Sequence, residues 1–210
     1  MFVKSIMIPK HECIMVDSND TVQTALDKLI KYDIDSLPVT SNGIYEGILT
    51  RFGIYEEYFN SSMEKEEFMN STKAGDIARR KDVYFHGEEI FEDVFLTLKS
   101  YSIVAVADEQ KHFVGIVTRF DVLEQFRSSL GVGKSGVRIA VACMEAEGQI
   151  AKLSDLSKVY HENIISLSTF DETDKFVRRI VLKVEKTKNL DKFLQKLEQS
   201  GFKILHIQEV

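Results

Sequence analysis

Cysteine is scarce in this chain: Cys13 and Cys143 are the only two in 210 residues, and they lie far apart in different candidate domains. That argues against a disulfide framework or a cysteine metal site. It suits free thiols in a reducing compartment, and a cytosolic location is expected. No apolar run approaches the roughly 18 residues that a membrane span needs. Met1 to Lys10 lack the apolar core and cleavage site of a secretory signal. No membrane partner is therefore expected. The five histidines, His11, His86, His112, His161 and His206, are scattered without ligand spacing, so no metal is expected. Gly133-Lys134-Ser135 resembles the end of a phosphate-binding loop, but position 128, where such a loop needs glycine, is Ser128. No nucleophile elbow, carboxylate dyad or nucleophile–base pair emerges, and Ser154-Asp155 has no partner base. A non-catalytic protein is expected.

Positive charge is also in short supply. The net charge is −6, with 15 Lys+Arg against 22 Asp+Glu in residues 1–135 and 12 against 11 in 136–210. Neither part is basic enough to imply a nucleic-acid duplex as partner. The change in charge balance falls near Gly131-Val132-Gly133-Lys134-Ser135-Gly136, which reads as a linker.

What the chain does contain is an echo. Gly47-Ile48-Leu49-Thr50-Arg51-Phe52-Gly53-Ile54 returns 68 residues later as Gly115-Ile116-Val117-Thr118-Arg119-Phe120-Asp121-Val122. Each copy has the form of an apolar strand running into Thr-Arg at the start of a helix. Such a junction presents free N–H groups, a hydroxyl and a cation to an anion. Asp121 adds a carboxylate suited to sugar hydroxyls; Gly53 stands in its place in the first copy.

Around the echoes the pattern repeats as strand, helix, strand, strand, helix. In the first copy, Ile14–Val16 is a strand. Asp20 or Thr21 caps a helix with the stripe Val22, Ala25, Leu26, Leu29 and Ile30. Leu37-Pro38-Val39 is strand-like, with proline pointing to an edge or a strand start. Ser41-Asn42-Gly43 signals a hairpin. The polar segment Ser61–Thr72 is expected as a solvated linker or an extended helix surface. In the second copy, Val83–Phe85 is a strand and Glu88-Glu89 opens a helix with Ile90, Val94 and Leu98 on one face. Asp108–His112 is the turn. The tail reads βαββαβ: Val137–Val141, a helix bearing Ile150, Leu153, Leu156 and Val159, Ile164–Phe170, a turn at Asp171–Asp174, Phe176–Val184, a helix capped by Asn189 and stopped by Gly201, and Ile204–Val210. That order is the ferredoxin-like split motif.

Ser5-Ile6-Met7-Ile8-Pro9, Leu37-Pro38-Val39 and the two Gly-Ile-(Leu/Val)-Thr-Arg-Phe stretches resemble a pair of CBS domains, the Bateman module. The tail is similar to an ACT domain, although Glu147 stands where that family has proline in Glu145-Ala146-Glu147-Gly148. The combination looks like the AcuB type of acetoin-utilisation regulatory protein. The implied fold class is α/β (α+β): CBS repeats at 1–62 and 63–130, a linker at 131–136 and an ACT-like domain at 137–210.

The resemblance implies a nucleotide-binding regulatory protein that needs no cofactor. Its ligand would be AMP, ADP, ATP, S-adenosylmethionine or cyclic di-AMP, held between the repeats. Carried over residue by residue, Thr118 meets phosphate, Asp121 meets ribose and Arg119 adds a charge-assisted contact. Lys81, Asp82, Val83, Ile103 and Val104 surround the base. The shell in the first repeat is Cys13, Ile14, Asp35, Ser36, Thr50 and Arg51, and it is expected to be weak, altered or empty because Gly53 lacks a carboxylate. On the residues alone, Thr50 and Thr118 serve equally as helix caps. Arg119 serves equally as a surface or dimer residue. The tail either takes a small effector or forms a homodimer through its strand edges, and a regulated protein partner is implied. An interaction scaffold with a vestigial cleft is the alternative.

Overall fold

The computed structural model describes residues 2–171 and 176–210. The chain divides into two compact units, Met1–Leu123 and Glu124–Val210. Among the described residues, no helix is long and apolar enough to cross a membrane.

The first unit contains both repeats as far as Leu123, inside the last helix of the second. In the first, β2 (Val16–Asp17), α1 (Val22–Lys31), β3 (Ser36–Ser41), β4 (Ile44–Thr50) and α2 (Arg51–Asn60) follow the expected order, after a short β1 (Ile8–Pro9). Their sheet has the order β2-β3-β4. Thr21 caps α1 by accepting the Thr24 N–H at 3.2 Å. Val22, Ala25, Leu26 and Leu29 enter the core, whereas Ile30 stays exposed. Pro38 lies inside the central strand β3 rather than at an edge. Pairing with β2 starts only at Val39, so the side on which proline lacks an N–H needs no donor there. Asn42 and Gly43 both have positive φ, 50° and 84°, as the tight hairpin requires.

The polar segment after α2 is not a bare linker. It contains α3 (Lys65–Ser71), whose Glu66 and Glu67 are exposed while Phe68 and Met69 are buried in the core of the first repeat. Two adjacent apolar residues give no helical stripe, which conceals this helix in the sequence.

The second repeat follows a short α4 (Ala74–Ile77). It comprises β5 (Tyr84–Phe85), α5 (Phe91–Ser100), β6 (Ile103–Ala107), β7 (Phe113–Thr118) and α6 (Arg119–Ser129). The α5 helix starts later than Glu88-Glu89. The Glu89 carboxylate instead accepts the His86 and Gly87 N–H groups at 2.6 and 2.8 Å. Phe91 takes the buried place expected for Ile90, which is exposed.

Each repeat lends its lead-in segment to the other. β1 pairs with β7 of the second repeat, giving the sheet order β1-β7-β6-β5. Val3 and Ile6 belong to the core of the second repeat. Reciprocally, Ala74 and Ala78 belong to the core of the first, and Ile48 and Arg79 exchange backbone bonds of 2.7 and 3.0 Å. These crossings explain the glycine in each echo. A Cβ on Gly115 would stand 2.3 Å from the Ile8 carbonyl oxygen, and one on Gly47 would stand 2.7 Å from that of Arg79. A shared cluster of Tyr45, Ile48, Ile103, Ala105, Ala107 and Phe113 joins the repeats, and the hairpin tips meet at an Ile44–His112 bridge.

The second unit carries β8 (Val137–Met144), α7 (Gln149–Tyr160), β9 (Ile164–Asp171), β10 (Val177–Val184), α8 (Leu190–Gln199) and β11 (Lys203–Glu209). The sheet order β11-β8-β10-β9 with antiparallel pairs is the ferredoxin-like arrangement. In α7, Leu153 is buried while Ile150 and Val159 are exposed. The turn expected at Asp171–Asp174 lies largely outside the described residues. The glycine-rich stretch at 131–136 is held in place: the Leu130 carbonyl accepts from Ser166, that of Gly131 from Lys183, and Gly136 and Val210 exchange backbone bonds.

Candidate functional site

The two strand-to-helix junctions are built alike. Thr50 Oγ1 accepts the Gly53 N–H at 2.8 Å, and Thr118 Oγ1 accepts the Asp121 N–H at 3.1 Å. Both threonines are helix caps. The second junction goes further. The Asp121 carboxylate accepts the Thr118 N–H at 3.0 Å and the Thr118 hydroxyl at 2.5 Å, closing a reciprocal capping box. Gly53 has no side chain to return that bond. Both bonds to the Asp121 carboxylate fall on one oxygen, Oδ2.

The two arginines of the echo turn back onto backbone. Arg119 Nε donates to the Leu98 carbonyl at 3.0 Å. Arg51 Nη2 donates to the carbonyls of Leu29 and Ile34 at 3.1 and 2.9 Å. Each side chain thereby satisfies a carbonyl in the last turn of the preceding helix, Leu98 or Leu29, where cations are favoured, and Arg51 also serves Ile34 in the loop beyond α1. The Arg119 and Arg51 N–H groups bond the carbonyls of Ser102 and Asp35 at 2.9 Å, fixing each junction against the start of the neighbouring strand.

The remaining candidates fall into distinct places. Ile103 pairs with Thr118 across β6 and β7, so these two are brought together. Val104 points into the core of the second repeat, with 1% exposure, and offers no side-chain surface. Lys81 and Asp82 are exposed, and the Asp82 carboxylate binds Lys111 in the hairpin turn at 2.9 Å. Val83 is half-buried beside the core of the second repeat, and its carbonyl accepts from Tyr45 at 3.4 Å.

In the first repeat, Ser36 is buried and its hydroxyl lies 3.1 Å from that of Ser102. Asp35 is exposed, and Arg51 Nε stands 4.0 Å from its carboxylate. Ile14 is half-buried. Cys13 packs against the shared cluster, with Sγ 3.4 Å from the carbonyls of Ile8 and Pro9. Burial pushes its thiol up to about 11, against a lowering contact at Ile116 and with a raising one from Glu12. This thiol is protonated at neutral pH and is no nucleophile.

One residue of the site gives no motif signal. Arg80 adopts a left-handed backbone, φ 64°, and its guanidinium lies 4.3 Å from the Tyr101 ring centre. Tyr101 immediately precedes Ser102, whose carbonyl holds the Arg119 N–H, so Arg80 stands near the strand end at which the second junction sits. Arg80 Nη1 is buried and has no hydrogen-bond partner among the described residues. A buried guanidinium N–H left unpaired is costly and invites an anionic or carbonyl acceptor. The only sequence hint was its neighbour Lys81, which is solvent-exposed instead.

In the second unit, the Glu145–Gly148 loop is tied down by an ion pair from Glu145 to Arg178, and Gly148, φ 81°, stands at the start of α7.

A paired fold with crossed lead-in segments and matching Thr-Arg junctions defines a tandem repeat module. The CBS domain family model matches residues 3–60 and 74–128, and the chain belongs to that family. Solved structures agree on the fold. The CbpB protein of Listeria monocytogenes in complex with c-di-AMP is 24% identical, with a TM-score of 0.54 over 60% of this chain and 94% of that one. CBSX2 in complex with AMP is 20% identical, with a TM-score of 0.52 over 60% of this chain and 95% of that one. A CBS domain pair/ACT domain protein from Thermotoga maritima is 19% identical, with a TM-score of 0.50 over 62% of this chain and 99% of that one.

Proposed function

We propose that this protein is a regulatory sensor that binds an adenine nucleotide at the second junction, between its CBS repeats. The observation that carries the reading is the unpaired, buried Arg80 Nη1 near the Thr118–Asp121 capping box. The guanidinium supplies the donor for a phosphate oxygen or an adenine ring nitrogen. Asp121 keeps Oδ1 for a ribose hydroxyl. Structural neighbours in complex with AMP and c-di-AMP support this ligand class. The first junction lacks the carboxylate, so it is the weaker site; its Arg51 gives Nη2 to two carbonyls and keeps a buried Nε without a hydrogen-bond partner among the described residues.

Ligand contact at both repeats biases their relative arrangement, and a protein partner reads that bias. The role is binding without catalysis, in the cytosol. The C-terminal unit is read as ACT-like, which aligns the protein with the AcuB type. A homodimer fits two features: the edge strands β9 and β11, and the exposed Phe52, Tyr55 and Phe59 on α2 with Phe120 and Leu123 on α6.

Calorimetry and thermal shift with AMP, ADP, ATP, S-adenosylmethionine and cyclic di-AMP test the reading. One of these raises the melting temperature, and Arg80→Ala removes most of that rise. Silence from all five ligands favours the alternative, an interaction scaffold. The favouring observation for that alternative is that the Thr118 hydroxyl is already engaged both as donor and as acceptor within its own helix.

A further inference from the structure

We infer that the C-terminal unit holds a second, separate ligand site on the open face of its sheet, shaped for an apolar carboxylate without an amino group. Along β8 and β10, Val137, Ile139, Val141, Ile180, Leu182 and Val184 face the helices and form the core. The alternate residues face the other way. On that face Arg138 and Lys183 are direct cross-strand partners, and Ser166 is the partner of Lys183 on its other side. Segment 130–135 lies over this row, held by Ser166 to the Leu130 carbonyl and by Lys183 to that of Gly131, both at 3.0 Å. A cavity of about 540 Å³ remains beneath it, within the size range of small-molecule sites.

Charge and polarity select the occupant. Like charges directly opposite in a sheet repel. Lys183 is only 6% exposed, and neither it nor Arg138 has an ion-pair partner among the described residues. No residue lining the cavity carries an acidic side chain. A single carboxylate between Arg138 and Lys183 removes the repulsion and satisfies both. Leu130, Val132, Phe170 and Val181 line the rest and receive an aliphatic or aromatic tail. The cations of the lining, Arg138, Lys183 and Lys134, outnumber its one carboxylate, the terminal group of Val210, so the ammonium of an amino acid is selected against.

The experiment is calorimetry on the full chain with 4-methylpentanoate, decanoate and leucine, where the first and last differ in the α-amino group. Both carboxylates bind, and leucine binds at least about tenfold more weakly than 4-methylpentanoate. Arg138→Gln weakens carboxylate binding by roughly tenfold or more, the scale of one charge-assisted contact. Ser168→Trp, which fills the cavity without altering charge, abolishes it, while circular dichroism of both variants matches the parent. Amide shifts on titration concentrate in β8, β10 and residues 130–135. The inference is overturned if neither carboxylate binds at millimolar concentration, if leucine binds equally well, if Arg138→Gln leaves affinity unchanged, or if the shifts lie elsewhere. Nucleotide binding by the first unit is independent of every one of these outcomes.

Discussion

Asp121→Ala separates capping from ligand binding. In the ligand-free protein the half-buried carboxylate accepts two bonds from Thr118, at 3.0 Å and 2.5 Å, and places negative charge at the start of α6. Loss of a helix-capping side chain costs about 1 kcal/mol, and loss of charge at the helix N-terminus about 0.3–1 kcal/mol. Thr118 Oγ1 still accepts the N–H of residue 121, so the cap is weakened rather than removed. The total is about 1–2 kcal/mol, or roughly 3–8 °C in melting temperature for a unit of this size. Gly53→Asp supplies the mirror experiment. It adds the missing return bond to Thr50, but its Cβ stands 3.0 Å from Thr50 Oγ1, so the gain stays below about 1 kcal/mol. The assay is urea denaturation with and without saturating nucleotide. A ligand role adds a second effect: the nucleotide-induced stabilisation itself shrinks in Asp121→Ala. A ligand-free Asp121→Ala protein within about 0.3 kcal/mol of the parent refutes the capping argument.

Arg51→Ala is expected to cost about 1–2 kcal/mol, more than Arg119→Ala, because Arg51 is half-buried and serves two carbonyls where Arg119 serves one; denaturation midpoints rank them. Cys13, pushed up to about 11 by burial, alkylates slowly in the native protein at pH 8 and rapidly in urea; equal rates contradict its placement. Its raised value contributes stability that is present below the ordinary thiol value of 9.0 and is lost as pH rises toward about 11, so Cys13→Ser flattens the alkaline limb of the stability curve. Asp108 behaves with the opposite sign. Partial desolvation opposes ionisation there, but the N–H groups of His112 and Gln110 and the His112 ring outweigh it and hold the carboxyl below its ordinary value. The turn is therefore stabilised above that range and loosens as pH falls through it, which carboxyl NMR titration and Asp108→Asn check.

Much of the architecture is legible because period and punctuation agree along the chain. The α1 stripe, the Asn42-Gly43 hairpin and the βαββαβ tail each follow from local rules that tertiary packing left intact. The differences arise where a long-range partner decides. Phe68 and Met69 are buried only because the first repeat offers a surface to cover, and Pro38 is tolerated in a central strand only because β2 is short. Arg80 was invisible to motif reasoning, since its value lies in a left-handed backbone and a ring contact made across non-adjacent segments. The crossed lead-in segments were equally hidden, because nothing in a strand of two residues announces which repeat it will join.

The echo can now be divided by cause. Its glycine admits the carbonyl of the other repeat's lead-in segment. Its leucine or valine fills a core, and its threonine and arginine cap the following and preceding helices. All of this is needed to hold one repeat against another, with or without a ligand. Two features stand outside that account: the exposed phenylalanines Phe52 and Phe120, 71% and 68% accessible, and the carboxylate present only at Asp121. An exposed aromatic repeated at equivalent positions gains nothing from its own fold; in the proposed homodimer it belongs to the covered surface. Asp121 is different, because the capping box uses just one carboxylate oxygen, which leaves the other for the proposed ribose contact. The cap therefore does not compete with the ligand. It holds Asp121 in place before binding, so the cost of ordering that side chain is met during folding rather than on association. By this argument the first junction is weaker on two counts: it lacks the acceptor, and it has no reciprocal bond with which to hold one.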